Sequence, residues 1–231
     1  MSKRSLKRLA SPKTWPIKRK ENIWVTRSYP GGQSLDRGIP LNILFKNLLK
    51  LTKTTRETKQ VLREGKILIN KIPRKDYKFH VGLFDIIDLP DKKSYRLLFS
   101  KKGKFILHPI KDEPLIYKIT NKTLLKNKKI QLNLHNGKNI LIDKDSYKVG
   151  DTITLDEKNK IKHNLKFEKN ALVYLLGGKH ISEVVVLQNI YKVQSSQPDR
   201  IEVKLDKKVF NTLKEHSFVI GKEKPIISLP K

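Results

Sequence analysis

Residues 54–70, TTRETKQVLREGKILIN, decide the fold of this chain. Thr54 and Glu57 form a capping box, in which the hydroxyl and the carboxylate bond free amide groups at the start of a helix. Gly65 marks the end of that helix, because glycine adopts a left-handed backbone at little steric cost. The alternation Lys-Ile-Leu-Ile-Asn predicts a strand over 66–70 with both isoleucines on one face. The segment therefore predicts a helix followed closely by a strand.

The predicted helix carries basic side chains on a single face. Arg56, Lys59 and Arg63 are separated by three and four positions and so share one side, while Val61 and Leu62 lie opposite. Such a helix can pack its apolar side on the protein and lay its cations along an RNA groove. The amide groups and the positive dipole end of its first turn also suit a phosphate. The alternative is a solvated face without a ligand.

The sequence on either side predicts a second helix and many short strands. Pro40 suits a first helical turn. The apolar residues that follow it share one helical face: Leu41, Leu44, Phe45, Leu48 and Leu49. Further along the chain, β-prone stretches alternate with turns that contain glycine, at 101–103, 135–137, 148–151 and 177–178. Short strands at this spacing predict small β-barrels.

The chain is strongly basic, with 51 Lys and Arg against 22 Asp and Glu and a net charge of +29 over 231 residues. Such an imbalance destabilises a compact protein by self-repulsion, so a polyanionic partner is expected. RNA or DNA is the leading candidate, because basic side chains release the counterions condensed on a phosphate backbone. Residues 1–20 hold eight basic residues and no acid, and Pro12 and Pro16 exclude a long helix there. We predict an extended arm that orders on RNA.

Two tryptophans lie in or beside this arm. An extended segment has little apolar surface against which to bury an indole ring, whereas RNA offers bases and sugars. For Trp15 we predict docking on RNA. For Trp24 two interpretations stay open, docking on RNA and packing on the body of the protein.

Several kinds of chemistry find no support in the sequence. There is no cysteine, so neither a disulfide framework nor a cysteine-based zinc site is expected. The six histidines are scattered and no phosphate-cradling glycine loop occurs, so we predict no metal, no cofactor and no small-molecule substrate. Asp85, Asp88 and Asp151 are isolated, which suits turns and caps better than catalysis. No apolar run reaches membrane length and the N-terminus does not resemble a secretory signal, so no membrane partner is expected.

The pattern Thr54-x-Arg56-Glu57-x-Lys59-x-x-Leu62-x-x-Gly65-x-Ile67-x-Ile69-Asn70 resembles the alpha-L RNA-binding motif of ribosomal proteins and RNA-modifying enzymes. Four more stretches resemble a single family, at 6–15, 76–87, 131–140 and 218–230. That family is the archaeal and eukaryotic-type small-subunit ribosomal protein S4e, and the resemblance extends over essentially the whole chain. The ending Ile-Ser-Leu-Pro without a long extension is typical of archaeal members.

The resemblance implies an α+β multi-domain fold. The implied order is a basic extended N-terminal arm (1–39), a small α/β alpha-L RNA-binding domain (40–105), a central β-barrel domain (106–166), a KOW or SH3-like small β-barrel (167–215) and a C-terminal tail (216–231). Lys71, Ser182 and Val185 stand where the family usually has glycine. We therefore expect the turn at Lys71 to differ or to be longer, reaching Pro73, and the KOW-loop contacts to be altered.

The implied function is that of a structural, non-enzymatic constituent of the small ribosomal subunit in the cytoplasm. Its implied partners are small-subunit ribosomal RNA and neighbouring small-subunit proteins. Two alternatives stay open: an RNA-modifying enzyme that uses an alpha-L module, and an RNA-binding regulator that acts off the ribosome. The predicted RNA-binding residues come from the arm, the helix face and loops: Arg4, Lys7, Arg8, Lys13, Trp15, Lys18, Arg19, Lys20, Thr54, Arg56, Lys59, Arg63, Lys66, Lys71, Arg74, Lys75, Lys179 and His180.

Overall fold

The computed structural model describes residues 5–91, 93–126, 129–156, 159–191, 197–206 and 208–230. The chain divides into two compact units, Met1–Asp112 and Glu113–Lys231. Both units are built mainly of antiparallel strands, and the α-helices among the described residues belong to the first unit.

The first unit combines one five-stranded sheet with two short strand pairs. Its elements in chain order are β1 (Leu6–Lys7), β2 (Trp24–Val25), β3 (Gly38–Pro40), α1 (Leu41–Ile43), α2 (Thr55–Arg63), β4 (Leu68–Ile69), β5 (Ile72–Pro73), β6 (His80–Gly82), β7 (Ile86–Asp88), β8 (Ser94–Phe99) and β9 (Phe105–Ile110). The large sheet has the order β5-β4-β7-β8-β9, while β1 pairs with β2 and β3 with β6.

The helix predicted after Pro40 is present but changes its winding. α1 continues directly into a π-helical turn at Leu44–Leu48, in which the Leu49 N–H donates to the Leu44 carbonyl, five residues back, at 3.0 Å. Lys50 follows with a φ of 54°, a left-handed backbone that ends the helix. The fully buried part of the predicted apolar face is its first half, with Leu41, Leu44 and Phe45.

The hairpin turn between β4 and β5 is tighter than the sequence suggested. Ile69 pairs with Ile72, so the turn consists of Asn70 and Lys71, whose φ angles are 52° and 67°. Two residues with positive φ are typical of a type I′ turn. The expectation of a longer turn is therefore wrong, because Lys71 itself adopts the backbone that glycine favours. Its Nζ lies 3.3 Å from Asp88 Oδ2, at the end of the neighbouring strand β7.

The second unit holds two five-stranded antiparallel sheets. Its strands are β10 (Leu115–Leu124), β11 (Ile130–Leu134), β12 (Asn139–Ile142), β13 (Thr152–Leu155), β14 (Ile161–Leu165), β15 (Leu172–Leu175), β16 (Val184–Tyr191), β17 (Arg200–Leu205), β18 (Lys208–Leu213) and β19 (Ser217–Gly221). The sheets have the orders β12-β11-β10-β13-β14 and β18-β17-β16-β15-β19.

The predicted strands and hairpins are confirmed in both units. Ile67 and Ile69 are buried, as the alternation after α2 predicts. Gly103 and Gly137 have positive φ in the turns that join β8 to β9 and β11 to β12. In the second sheet of the second unit, the buried cluster includes Val185, which is 1% exposed. Position 185, where the family usually has glycine, therefore holds a packed side chain within β16, and the strand does not require glycine there.

Candidate RNA interface

The first turn of α2 is closed by the capping box that the sequence predicts. The Thr54 hydroxyl accepts from the Glu57 N–H at 3.2 Å and donates to Glu57 Oε1 at 2.9 Å. Glu57 Oε2 also accepts from the Lys53 N–H at 2.8 Å. The backbone bond from Lys53 and then the bond from Thr54 lower the pKa of the exposed Glu57 carboxyl, because both stabilise its charged form.

This arrangement assigns Thr54 a structural role. The negative charge at this end of α2 is supplied by Glu57, so a phosphate that approached the same end would meet a carboxylate. The role of Thr54 as an N-cap is sufficient to explain the residue. That Thr54 also contacts RNA stays a prediction.

The basic face of α2 is formed as predicted. Arg56, Lys59 and Arg63 are exposed and, together with Gln60, line one shallow hollow. Within the described ranges none of these three cations forms an ion pair. Leu62, on the opposite side, is fully buried and anchors the helix. The three charges are therefore held at fixed positions along the helix and are free to meet phosphates.

The segment 74–79 lies beside this face and contributes basic and aromatic side chains. Lys59 Nζ lies 4.6 Å from the centre of the Tyr77 ring. Lys78 Nζ lies 5.6 Å from the same ring and 5.4 Å from the ring of Tyr29. Arg74 stacks its guanidinium 4.4 Å from the Phe79 ring. These cation–π contacts hold flexible side chains near the surface in preferred positions.

Four of these residues are absent from the predicted set: Tyr29, Tyr77, Lys78 and Phe79. The run Arg-Lys-Asp-Tyr-Lys-Phe at 74–79, which mixes basic and aromatic residues, is the signal that could have found the last three. Tyr29 lies in a separate segment and has no such signal. Of the predicted neighbours, Arg74 is half-buried and Lys75 is exposed. Lys66 pairs with Glu64 at 3.1 Å, which partly neutralises it, and Lys71 pairs with Asp88 as described above.

Trp15 corrects the prediction for the N-terminal arm. Its side chain is 1% exposed, and its Nε1–H donates to the Gly38 carbonyl at 2.7 Å. The ring has no face available for a base, so the prediction that Trp15 docks on RNA is wrong. A large apolar ring is stabilised by burial, and its single N–H finds an acceptor inside the fold. Trp24, in contrast, is 57% exposed.

Arg8 also stabilises the arm through hydrogen bonds within the protein. Its Nε donates to the Lys18 carbonyl at 2.9 Å, its Nη1 to Ser11 Oγ at 2.7 Å and its Nη2 to the Ile17 carbonyl. The guanidinium therefore ties two parts of the arm together. The described part of the arm is held by such contacts within the protein, so the expectation that it orders on RNA is corrected.

The other cations of the arm remain available to solvent. The exposed ones are Lys7, Lys13, Lys18, Arg19 and Lys20. Arg4 lies outside the described residues. The arm thus presents a set of surface charges on a backbone that Trp15 and Arg8 fix.

Lys179 and His180 belong to the second unit. Lys179 is exposed, while the His180 ring stacks on Phe210 with centroids 4.4 Å apart. His180 Nδ1 lies 2.6 Å from Glu183 Oε2. Ser182, which stands where the family usually has glycine, has a φ of 71°, so its backbone conformation is one that glycine favours.

Two of the three isolated aspartates, Asp85 and Asp151, act in turns, as the sequence predicts, whereas Asp88 lies in strand β7 and accepts from the Ser94 hydroxyl at 2.5 Å. Asp85 accepts from the Gly82 N–H at 2.7 Å, and Asp151 accepts from the N–H groups of Lys148 and Phe167 at 2.9 Å. The described residues contain no group of three or more His, Asp or Glu side chains placed to hold a metal ion. Among the same residues, every helix falls short of the length and apolar character needed to span a bilayer.

A strongly basic chain with an exposed cationic helix face is typical of proteins that bind polyanions, and comparison with known proteins defines the class further. A model of the ribosomal family S4e matches residues 91–161, and a model of the RS4NT domain matches residues 2–33. A relative from Archaeoglobus fulgidus, named small ribosomal subunit protein eS4, is 43% identical over 230 residues, covering 96% of this chain and 97% of that protein. One of the same name from Methanosphaera stadtmanae is 40% identical over 99% of this chain and 96% of its own length.

A solved structure agrees with this assignment. The crystal structure of the 30S ribosomal protein S4e from Thermoplasma acidophilum superposes with a TM-score of 0.71 at 25% identity, covering 83% of this chain and 100% of that one. This chain belongs to the S4e family of ribosomal proteins, and the family resemblance noted in the sequence is confirmed.

Proposed function

We propose that this protein is a structural, non-enzymatic component of the small ribosomal subunit that binds ribosomal RNA and stabilises its fold. The observation that carries the proposal is the match to proteins named small ribosomal subunit protein eS4 over nearly the whole of both chains. The relatives and this chain are of similar length, so no large part of one lacks a counterpart in the other. The ribosome of the cytoplasm is the proposed location.

The mechanism rests on charge held by a rigid scaffold. Arg56, Lys59 and Arg63 neutralise phosphates along one RNA groove, while the anchored α2 fixes their spacing. Exposed arm cations add further phosphate contacts. Phosphate contacts position a protein on RNA without reading its sequence, so the shape of the RNA selects the site.

The proposed domain layout follows the family resemblance. Residues 1–39 form the arm and 40–166 the alpha-L RNA-binding domain followed by the central β-barrel, with the boundary after β9 and not at 105, because β9 pairs with β8. The KOW-like barrel begins at 167 and includes β19, which pairs with β15, so the tail begins after Gly221 and not at 216. The capped helix followed by the β4–β5 hairpin supports the alpha-L assignment. The two five-stranded sheets of the second unit support two successive β domains. Neighbouring small-subunit proteins are the proposed protein partners.

Sedimentation of the native protein through a sucrose gradient at moderate salt tests this function. We expect stoichiometric protein in the small-subunit peak. Protein found only in light fractions contradicts the proposal and favours an off-ribosome regulator, and RNA modification by the purified protein favours an enzyme.

Salt dependence tests the mechanism separately. If about eight phosphates are neutralised, log K falls by roughly seven for each decade of salt, by analogy with duplex DNA. Tight binding with a shallow slope contradicts phosphate neutralisation as the main contribution.

A further inference from the structure

Trp24 is the one tryptophan whose ring the first unit leaves exposed, and a cleft opens beside it. β2 places Trp24 opposite Lys7 of β1, and Lys7 Nζ lies 5.8 Å from the ring centre. The hairpin pairing fixes the backbone of Trp24, while 57% of the residue stays accessible. An indole held in this way offers a flat apolar surface to a ligand.

The cleft runs between the segment 21–26 and the residues that join the π-helical turn to α2. Its lining includes Trp24, Asn42, Lys46, Lys50, Thr52 and Lys53. Lys50 and Lys53 are exposed and Lys46 is half-buried. Glu21 is the single carboxylate among the described lining residues, so the cleft carries a net positive charge.

The wall of the cleft contains an unpaired hydrogen-bond acceptor. Asn42 is 3% exposed, and its Nδ2 donates to Thr26 Oγ1 at 2.6 Å and to Thr55 Oγ1 at 3.2 Å. Its Oδ1 has no hydrogen-bond partner among the described residues. A buried acceptor without a donor is destabilising. The oxygen is itself buried, so a base amino group or a ribose hydroxyl that enters the cleft relieves this cost only if the Asn42 side chain shifts toward it.

From the ring, the cations and the unpaired amide oxygen together, we infer that this cleft binds an unpaired nucleotide of RNA. The base stacks on Trp24, the phosphates meet Lys46, Lys50 and Lys53, and the amide of Asn42 receives a donor. Stacking on an aromatic ring and a nearby row of cations are the two elements that single-stranded RNA requires of a protein. The inference rests on the RNA-binding function proposed above and adds a second site to the face of α2.

The two tryptophans make a direct test possible in the intact protein. Trp15 is 1% exposed and Trp24 is 57% exposed, so acrylamide quenches the fluorescence of Trp24 selectively. The probes are a 12-nucleotide single-stranded RNA of mixed sequence and a 12-base-pair RNA duplex. We expect the single strand to shield Trp24 from acrylamide, whereas the duplex binds without shielding it.

Variants separate this site from the face of α2. Trp24→Leu lowers the affinity for the single strand by about tenfold, and Trp24→Tyr retains most of it, because base–aromatic stacking supplies the difference. The double variant Arg56→Glu and Lys59→Glu weakens binding of both probes but leaves Trp24 shielded when the single strand saturates the protein.

The inference is overturned if Trp24 stays equally accessible to acrylamide when single-stranded RNA is bound, or if the duplex shields it equally well. In either case weaker binding by the α2 double variant shows that the proposed function stands. Failure of the wild-type protein to bind either probe overturns both. Ile23, next to Trp24, and Leu9, shortly after β1, are also exposed, so shielding seen in the assembled subunit but not with the single strand contradicts the nucleotide site.

Discussion

The N-terminal arm and α2 are both rich in cations, but the structure uses them differently. In α2, the buried Leu62 and Thr58 lie on one side and the cations on the other, so the charges remain free. In the arm, the Arg8 guanidinium donates to the backbone carbonyls of Lys18 and Ile17, and Trp15 is buried. A regular helix separates its anchoring face from its binding face by periodicity. An irregular segment has no such separation. The contacts that stabilise it therefore use residues that composition alone predicts to bind RNA.

The largest expected effect that distinguishes the two regions is on stability. Trp15→Ala should lower the free energy of unfolding by about 3–5 kcal/mol, because it removes a buried ring and the bond to Gly38. The matched control is Trp24→Ala, which should change it by less than about 1 kcal/mol because that ring is exposed. Urea unfolding followed by circular dichroism measures both. Equal effects of the two variants would contradict the assigned roles.

The next effect is on RNA binding by α2. The double variant Arg56→Glu and Lys59→Glu should weaken RNA binding by about tenfold at moderate salt and reduce the salt slope by about two, because two phosphate contacts are lost. Lys101→Glu with Lys102→Glu, in the exposed β8–β9 turn, changes net charge equally and serves as the control. Filter binding at several salt concentrations measures both. Equal weakening by the control would show that net charge alone matters.

A smaller effect is expected from the exposed cations of the arm. The triple variant Lys18→Gln, Arg19→Gln and Lys20→Gln should lower the salt slope while leaving unfolding unchanged, because these side chains are exposed. The substitutions keep Arg8 and Trp15, and thus the fold of the arm, which a deletion of residues 1–20 does not. An unchanged slope would mean that these charges do not meet phosphates.

The smallest effect concerns the cap of α2. Thr54→Ala should cost about 1 kcal/mol of stability, since the side-chain bond to the Glu57 N–H is lost. Thermal unfolding at neutral pH measures the loss. RNA binding under conditions where the protein is folded should stay nearly unchanged if Thr54 acts only as a cap, and a large loss of binding would establish the RNA contact.

Glu57 adds a pH dependence to the same cap. Its pKa is lower in the folded protein than the usual 4.5, so its contribution is fully present above that value and is lost as pH falls through the folded-state pKa. Wild-type protein should therefore lose its stability advantage over Glu57→Gln in acid. Parallel unfolding curves of the two proteins at neutral and acidic pH test this, and an advantage that persists in acid would contradict the capping role of the carboxylate.

Much of the candidate site follows from the sequence by local rules. The capping box, the stop at Gly65, the buried isoleucines after it and the shared face of Arg56, Lys59 and Arg63 depend on spacing within a few residues. The hairpins around Gly103 and Gly137 follow from turn chemistry in the same way. Such features are predictable because the physical interactions that decide them lie within one or two turns of backbone.

Only the tertiary structure decided the features that depend on distant partners. Trp15 is buried in the fold and donates its N–H to the Gly38 carbonyl, 23 residues away, and Lys78 Nζ lies 5.4 Å from the ring of Tyr29 in a separate segment. The two-residue turn at Lys71 likewise depends on strand pairing and on Asp88. The sequence by itself determined a basic, β-rich chain with one well-defined cationic helix. Which rings are buried and which stay exposed was decided by long-range packing, because burial depends on surfaces that meet only when the chain folds.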